Sequence, residues 1–182
     1  MRLFVNFGVF VAQFRIPFFR HWFHPSFCSG NATLAGIPSH LTKQMQSVLN
    51  SAARLVFSAS RYDRIMPLLT QLHWLKVPER IKFKLAVLVY QCLHQTAPPH
   101  FAEELHQSSA DEARQRLRSA LTSSLVVPRT RLSTIGVRAF PVVAARLWNT
   151  LPLLTLASSI SVFRKHLKTH LFSCSFRESP VQ

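Results

Sequence analysis

The stretch Val77–Gln95, VPERIKFKLAVLVYQCLHQ, decides the fold class. Pro78 suits a first helical position, where the amide it lacks would have no intrahelical partner, and Glu79 suits the positive helix end. Ile81, Leu85, Leu88, Val89 and Cys92 then recur at spacings of three and four. That period predicts a helix to about His94 with an inward apolar face, and Arg80, Lys82 and Lys84 near its start. Pro98 and Pro99 end the unit.

The helical period continues on both sides. Ser39 is placed to cap a helix from about His40 to Phe57, with Leu41, Met45, Val48, Leu49, Ala52, Leu55 and Val56 on its buried side. Asp63 is placed to cap a short helix through Leu72, in which Pro67 falls in the tolerant first turn. Phe101–His106 predicts a short helix, and Gln107–Ser124 is polar, rich in Ser and Arg, and expected to be a linker. Leu125–Val127 predicts a brief strand. Arg138–Asn149 predicts a helix containing Phe140, Val143 and Leu147. The last helix covers about Ser161–Phe172, with Phe163, Leu167 and Leu171 on one side and Arg164, Lys165 and Lys168 on the other.

These elements predict a mostly α protein, an irregular helical assembly of about five to six helices with a long basic loop and at most one short β element. The expected organisation is a Phe-rich leader over 1–30, a helical region over 31–106 and a polar basic linker over 107–124. A basic helical region over 125–172 and a tail over 173–182 follow.

Charge narrows the function. The chain has 22 Lys and Arg against 7 Asp and Glu, a formal net charge of +15. Self-repulsion of that size points to a polyanionic partner, nucleic acid first and an anionic membrane surface second. The acids are segregated. None lies in Met1–Tyr62, six fall in Asp63–Glu112, and Ala113–Arg177 carries eleven basic residues and no acid. The acid-free C-terminal half is therefore the better candidate for touching phosphate. Cys28, Cys92 and Cys174 are odd in number and widely spaced, so no disulfide framework is expected and a reducing compartment is the default.

The leader holds eight of the 15 Phe residues, and Phe4, Phe7, Val11, Phe14 and Phe18 form an apolar helical stripe. Asn6 and Gln13 break the apolar run a signal peptide needs, and no small-residue cleavage site follows. Arg15 and Arg20 interrupt the stretch before it could span a bilayer, so no transmembrane span is expected. A mitochondrial presequence is the minor alternative to a leader without a role. Nucleus or cytoplasm is the expected location, rather than secretion.

Several long blocks carry a resemblance. LAGIPSHLTKQMQSVLNSAARLVF from Leu34 is similar to the segment closing the polymerase region of LINE-type (non-LTR) retrotransposon reverse transcriptases of the jockey and chicken-repeat kind. RIMPLLTQLHWLKVPERIKFKLAVLVYQCLHQTAPPHFAEEL from Arg64 resembles the block that follows it there. RLRSALTSSLVVPRTRLSTIGVRAFPVVAARLWNTLP from Arg116 and SVFRKHLKTHLF from Ser161 resemble the family's last two blocks, in order and at its spacing. The resemblance covers roughly Cys28–Phe172. Residues 1–27 match nothing in that family, and Cys28–Asn31 has two extra residues within the usual Asp-Tyr-Cys-Asn. Those departures imply a truncated or rearranged copy.

The family copies RNA into DNA, which requires clustered carboxylates holding two Mg²⁺ ions about 4 Å apart. The chain has Asp63 and Asp111 as its only aspartates, and the family's polymerase motif would lie upstream. Glu103 with Glu104 and Asp111 with Glu112 suit a solvated acidic face. The expectation is therefore not an enzyme, and no cofactor and no small-molecule substrate are expected. His21, His24 and Cys28 resemble metal spacing but lack a fourth ligand. Asn31-Ala-Thr33 is a glycosylation pattern relevant only to a secreted chain.

The candidate nucleic-acid-binding residues are Arg114, Arg116, Arg118, Arg129 and Arg131 in or beside the polar loop, and Arg164, Lys165 and Lys168 on the last helix. Each could equally belong to a solvated basic surface. Trp74 could stack on a base and His73 could reach a phosphate, but the place of Trp74 between Leu72 and Leu75 favours a core role, as does that of Trp148. The expected function is a non-catalytic remnant gripping the RNA or DNA backbone. The alternative is a structural module packing against a polymerase domain missing from this chain, or a product of a transposable-element insertion without function.

Overall fold

The computed structural model describes residues 34–107, 124–131, 136–151 and 157–176. Six helices carry them: α1 (Ser39–Phe57), α2 (Ile65–Gln71), α3 (Val77–Leu93), α4 (Pro99–Ala102), α5 (Phe140–Thr150) and α6 (Ile160–Phe176), with a 3-10 turn at Gly136–Arg138. Among the described residues there is no strand, and the expected β element is a single bridge between Gln107 and Leu125. The protein is mostly α, as its periodicity predicts.

α3 is the axis. Leu85 through Tyr90 are buried without a break, so this stretch of the helix is covered on more than one face, while Lys82 in its first half stays exposed. The expected single inward face is corrected here: α6, α5 and α1 all pack on α3, and Ala86, Val87 and Tyr90 are buried as well. Phe163 of α6 is fully buried between the rings of Tyr90, 4.5 Å away and stacked, and Trp148, 5.9 Å away. The Tyr90 hydroxyl donates to the Ala157 carbonyl at 2.9 Å, tying the approach to α6 back onto α3. Burying that ring with its hydroxyl partnered avoids the cost of an orphaned polar group.

A second apolar cluster joins Leu49 and Ala53 of α1, Leu69 of α2 and Val77 of α3, with Trp74 against it. The Val77 amide has no intrahelical partner, and Gln46 of α1 supplies one by accepting it at 2.8 Å. The other end of that side chain donates to Asn50 Oδ1 at 2.8 Å, which holds the amide in place.

Several local expectations are revised. Ser39 is the first residue of α1 rather than its cap; Pro38 precedes the helix, and no side chain caps it. Asp63 turns backwards, accepting the Ser60 amide at 2.6 Å, and α2 begins two residues later. On α1 the packed row is half-buried Met45 with buried Leu49 and Ala53, where the helix meets α2 and α3. Val48 and Leu55 are 68% and 81% exposed, contrary to their expected burial. α4 starts at Pro99, since a proline at a first helical position opens a helix as readily as it ends the one before.

α6 runs to Phe176, four residues into the expected tail. The Phe172 and Phe176 rings pair at 4.5 Å one turn apart, and Lys76 adds an ammonium 5.5 Å from the Phe176 centroid. Lys76 Nζ also donates to the Ser175 carbonyl at 2.8 Å, satisfying an acceptor near the helix end. The chain has only four Gly, and three helix ends use other residues in the left-handed region: Ser58 (φ 51°), His73 (φ 51°) and Gln95 (φ 55°). Behind each, an amide reaches back five residues: Ala59 to Arg54, Trp74 to Leu69 and Thr96 to Gln91.

Candidate functional site

Arg114, Arg116 and Arg118 lie outside the described residues. Arg129 and Arg131 are exposed on the segment that follows Leu125. That segment is held at its root by Asn149 of α5, whose Oδ1 accepts the Leu125 amide and whose Nδ2 donates to the Leu125 carbonyl, each at 2.9 Å. One side chain thus does for Leu125 what a neighbouring strand would do. The Val126 amide bonds to the His106 carbonyl at 2.9 Å, completing the tie. On α6, Lys165 and Lys168 are exposed and Arg164 half-buried, opposite the buried Phe163, Leu167 and Leu171. The two groups occupy separate elements, and the described structure joins them by no hydrogen bond.

Trp74 and Trp148 pack within the fold. Trp148 is 2% exposed in the main core. Trp74 is half-buried, with the Arg80 guanidinium 5.4 Å from its ring centroid. Arg80 itself is buried, its Nε donates to the Leu75 carbonyl at 2.9 Å, and burial lowers its pKa to about 10. His73 is exposed, with its ring 5.7 Å from that of Phe172.

The structure gathers a third set of cations that sequence reasoning did not. The start of α1, the first half of α3 and the second half of α5 enclose an open groove of about 680 Å³. Its floor is aliphatic, formed by Leu34, Ile37, Ile81, Leu85, Val143 and Leu147. Lys43, Lys82 and Arg146, one from each helix, line it and are exposed. A Cβ placed on Gly36 (φ +72°), which lines the groove, would sit 3.0 Å from Arg138 Cγ, so the Arg138 stem packs against that glycine. Among the described residues no acid and no aromatic ring lines it. In the sequence these residues are far apart, and each alone looks like one charge on a wet helix face. Only the crossing of α3 with α1 and α5 makes them a set. A smaller space of about 310 Å³ on the far side of Lys43 is lined by Lys76, whose ammonium is already committed to Ser175.

Among the described residues no three His, Cys, Asp or Glu side chains gather as metal ligands, and no helix is long and apolar enough to cross a membrane. His21, His24 and Cys28 fall outside those residues. Cys92 is a buried free thiol pushed up to about 11 by that burial, whereas Cys174 is exposed with its sulfur 3.8 Å from His170 Nε2.

No protein-family model matches the chain, and neither the curated proteins nor the solved structures give a significant match.

Proposed function

We propose that this chain is a non-catalytic remnant related to the segment that follows the polymerase motifs in LINE-type reverse transcriptases, and that it binds RNA or DNA by sequence-independent phosphate contacts. The observation that carries this reading is the unbroken acid-free span from Ala113 to Arg177 with its eleven basic residues. Of its candidate residues that the structure describes, Arg129, Arg131, Lys165 and Lys168 are exposed and Arg164 is half-buried. A basic surface without interspersed acids attracts a phosphate backbone and releases its counterions.

The test is fluorescence anisotropy of the full chain with single-stranded RNA and duplex DNA over a salt series. Saturable binding whose log affinity falls linearly with log salt is expected, and an Arg116→Ala/Arg118→Ala variant should weaken every ligand alike and flatten the slope. A folded, soluble chain that binds neither nucleic acid overturns the reading.

One observation favours a second reading, an interaction module. Val48 and Leu55 of α1 and Tyr62 after it (93% exposed) leave apolar surface facing water, as on a helix that packs against a polymerase domain on another polypeptide. Aggregation relieved by adding such a domain would support it. A monodisperse chain that gains nothing from that domain would count against it.

A further inference from the structure

We propose that the groove between α1, α3 and α5 docks an acidic amphipathic helix of a partner protein, its aliphatic stripe on the floor and its carboxylates against Lys43, Lys82 and Arg146. This goes beyond phosphate binding and does not depend on it.

The groove's chemistry selects the occupant by elimination. A lining with cations and no acid excludes a basic or neutral partner face as the best match. Single-stranded RNA or DNA would need aromatic platforms for its bases, and among the described residues the lining has none. A duplex backbone would place phosphates over aliphatic side chains, which leaves Ile81, Leu85, Val143 and Leu147 without an apolar partner. A lone acyl carboxylate fits poorly for another reason. Small ligands are held in cavities that enclose most of their surface, and this groove is open to solvent. One carboxylate would also leave two of the three cations unanswered.

A helix with leucines at i, i+3, i+4 and i+7 matches an open aliphatic trough, and acids flanking that stripe on both sides match cations contributed by different walls. Lys43, Lys82 and Arg146 are exposed, and none of the hydrogen bonds among the described residues engages them. Docking therefore breaks no existing bond. The surrounding positive field adds steering for an acidic partner.

The test uses the full chain and a fluorescein-labelled synthetic four-turn peptide with one leucine stripe flanked by glutamates. Two controls share its length: a scramble of equal charge in which the leucines no longer share a face, and a version with lysine flanks. The protein variants are Lys82→Glu/Arg146→Glu in the groove and Lys165→Glu/Lys168→Glu on α6, with far-ultraviolet circular dichroism confirming that each is helical. Lys43→Glu, at an exposed site on α1, stands in if the groove pair does not fold. The striped acidic peptide should bind better than both controls and lose on the order of tenfold in affinity in the groove variant. The α6 variant should lose RNA rather than peptide. Equal binding of the scramble, or an unchanged affinity in the groove variant, overturns the proposal. So does a groove variant that loses RNA and peptide by the same factor, because the cations would then belong to the phosphate surface. A chain that binds no RNA at all yet passes the peptide test retains the groove and loses only the reading under Proposed function.

Discussion

Removing the Asn149 side chain tests how the basic segment is held. Its amide makes two hydrogen bonds to Leu125, both at 2.9 Å, and Leu125 is buried. Two neutral hydrogen bonds contribute roughly 2 kcal/mol net, and a buried amide or carbonyl left without a partner adds to the loss. Asn149 itself is exposed, so water replaces part of that and Asn149→Ala should cost about 1–2 kcal/mol. With a urea slope typical of small domains, the midpoint should fall by about 1 M, read by the fluorescence of neighbouring Trp148. Asn149→Asp sharpens the test. Its carboxylate can accept the Leu125 amide but presents an acceptor to the Leu125 carbonyl, so it should be no better than alanine at neutral pH. Below its own pKa it regains a donor, and the midpoint should partly recover relative to wild type. A change under about 0.5 kcal/mol for Asn149→Ala, or an Asn149→Asp variant without pH dependence, would refute the clamp.

Four further outcomes follow from the same structure. Phe163→Ala removes a ring enclosed by Tyr90 and Trp148 and should cost about 3–5 kcal/mol in urea unfolding, with Phe163→Leu costing less than half of that. Cys92 has its thiol raised from 9.0 to about 11 by burial, so its contribution to stability is complete below pH 9 and declines as pH rises towards 11. Cys92→Ala should lack that decline, worth up to about 2–3 kcal/mol, when the two midpoints are compared across the window. Gln95→Gly relieves a left-handed backbone at φ 55° and should raise stability by about 0.5–1 kcal/mol, seen as a higher Tm. Arg129→Ala/Arg131→Ala should lower the salt slope of RNA binding by about 1.5 without changing the order of preference among sequences.

The helices were legible because each carries its own period. Phe163, Leu167 and Leu171 announce the buried side of α6, and Pro78 with Glu79 announces the start of α3. What could not be seen from one element was how much of it the others would cover. Val48 and Leu55 have the spacing of core residues, yet α2 and α3 reach only the neighbouring row of α1. The converse holds on α3, where Val87 and Tyr90 lie off the expected stripe but are buried by the helices packed on it. The partnerships of Gln46 with Val77 and of Asn149 with Leu125 are equally hidden, because a polar side chain gives no sign of which distant amide it will meet. The groove belongs to the same class: its cations are visible as residues and invisible as a set.

The same core constrains what the basic surfaces can do. Tyr90, Trp148 and Phe163 are spent inside the main cluster, and the Trp74 ring lies beneath Arg80. Among the described residues Tyr62 is the one exposed Phe, Tyr or Trp side chain. Base-stacking recognition needs several aromatic faces in a row, and direct readout needs fixed side chains lodged in a groove of the nucleic acid. A surface whose charges stand on exposed helix faces and on one segment clamped at Leu125 supplies neither. Under the proposed function the described surface neutralises phosphates at many registers with nearly equal energy, so affinity should track ionic strength and ligand length rather than sequence. The aliphatic trough obeys the opposite rule. There the cations are few and surround a shaped apolar floor, so the position of a partner's apolar side chains, more than its total charge, should decide whether it binds.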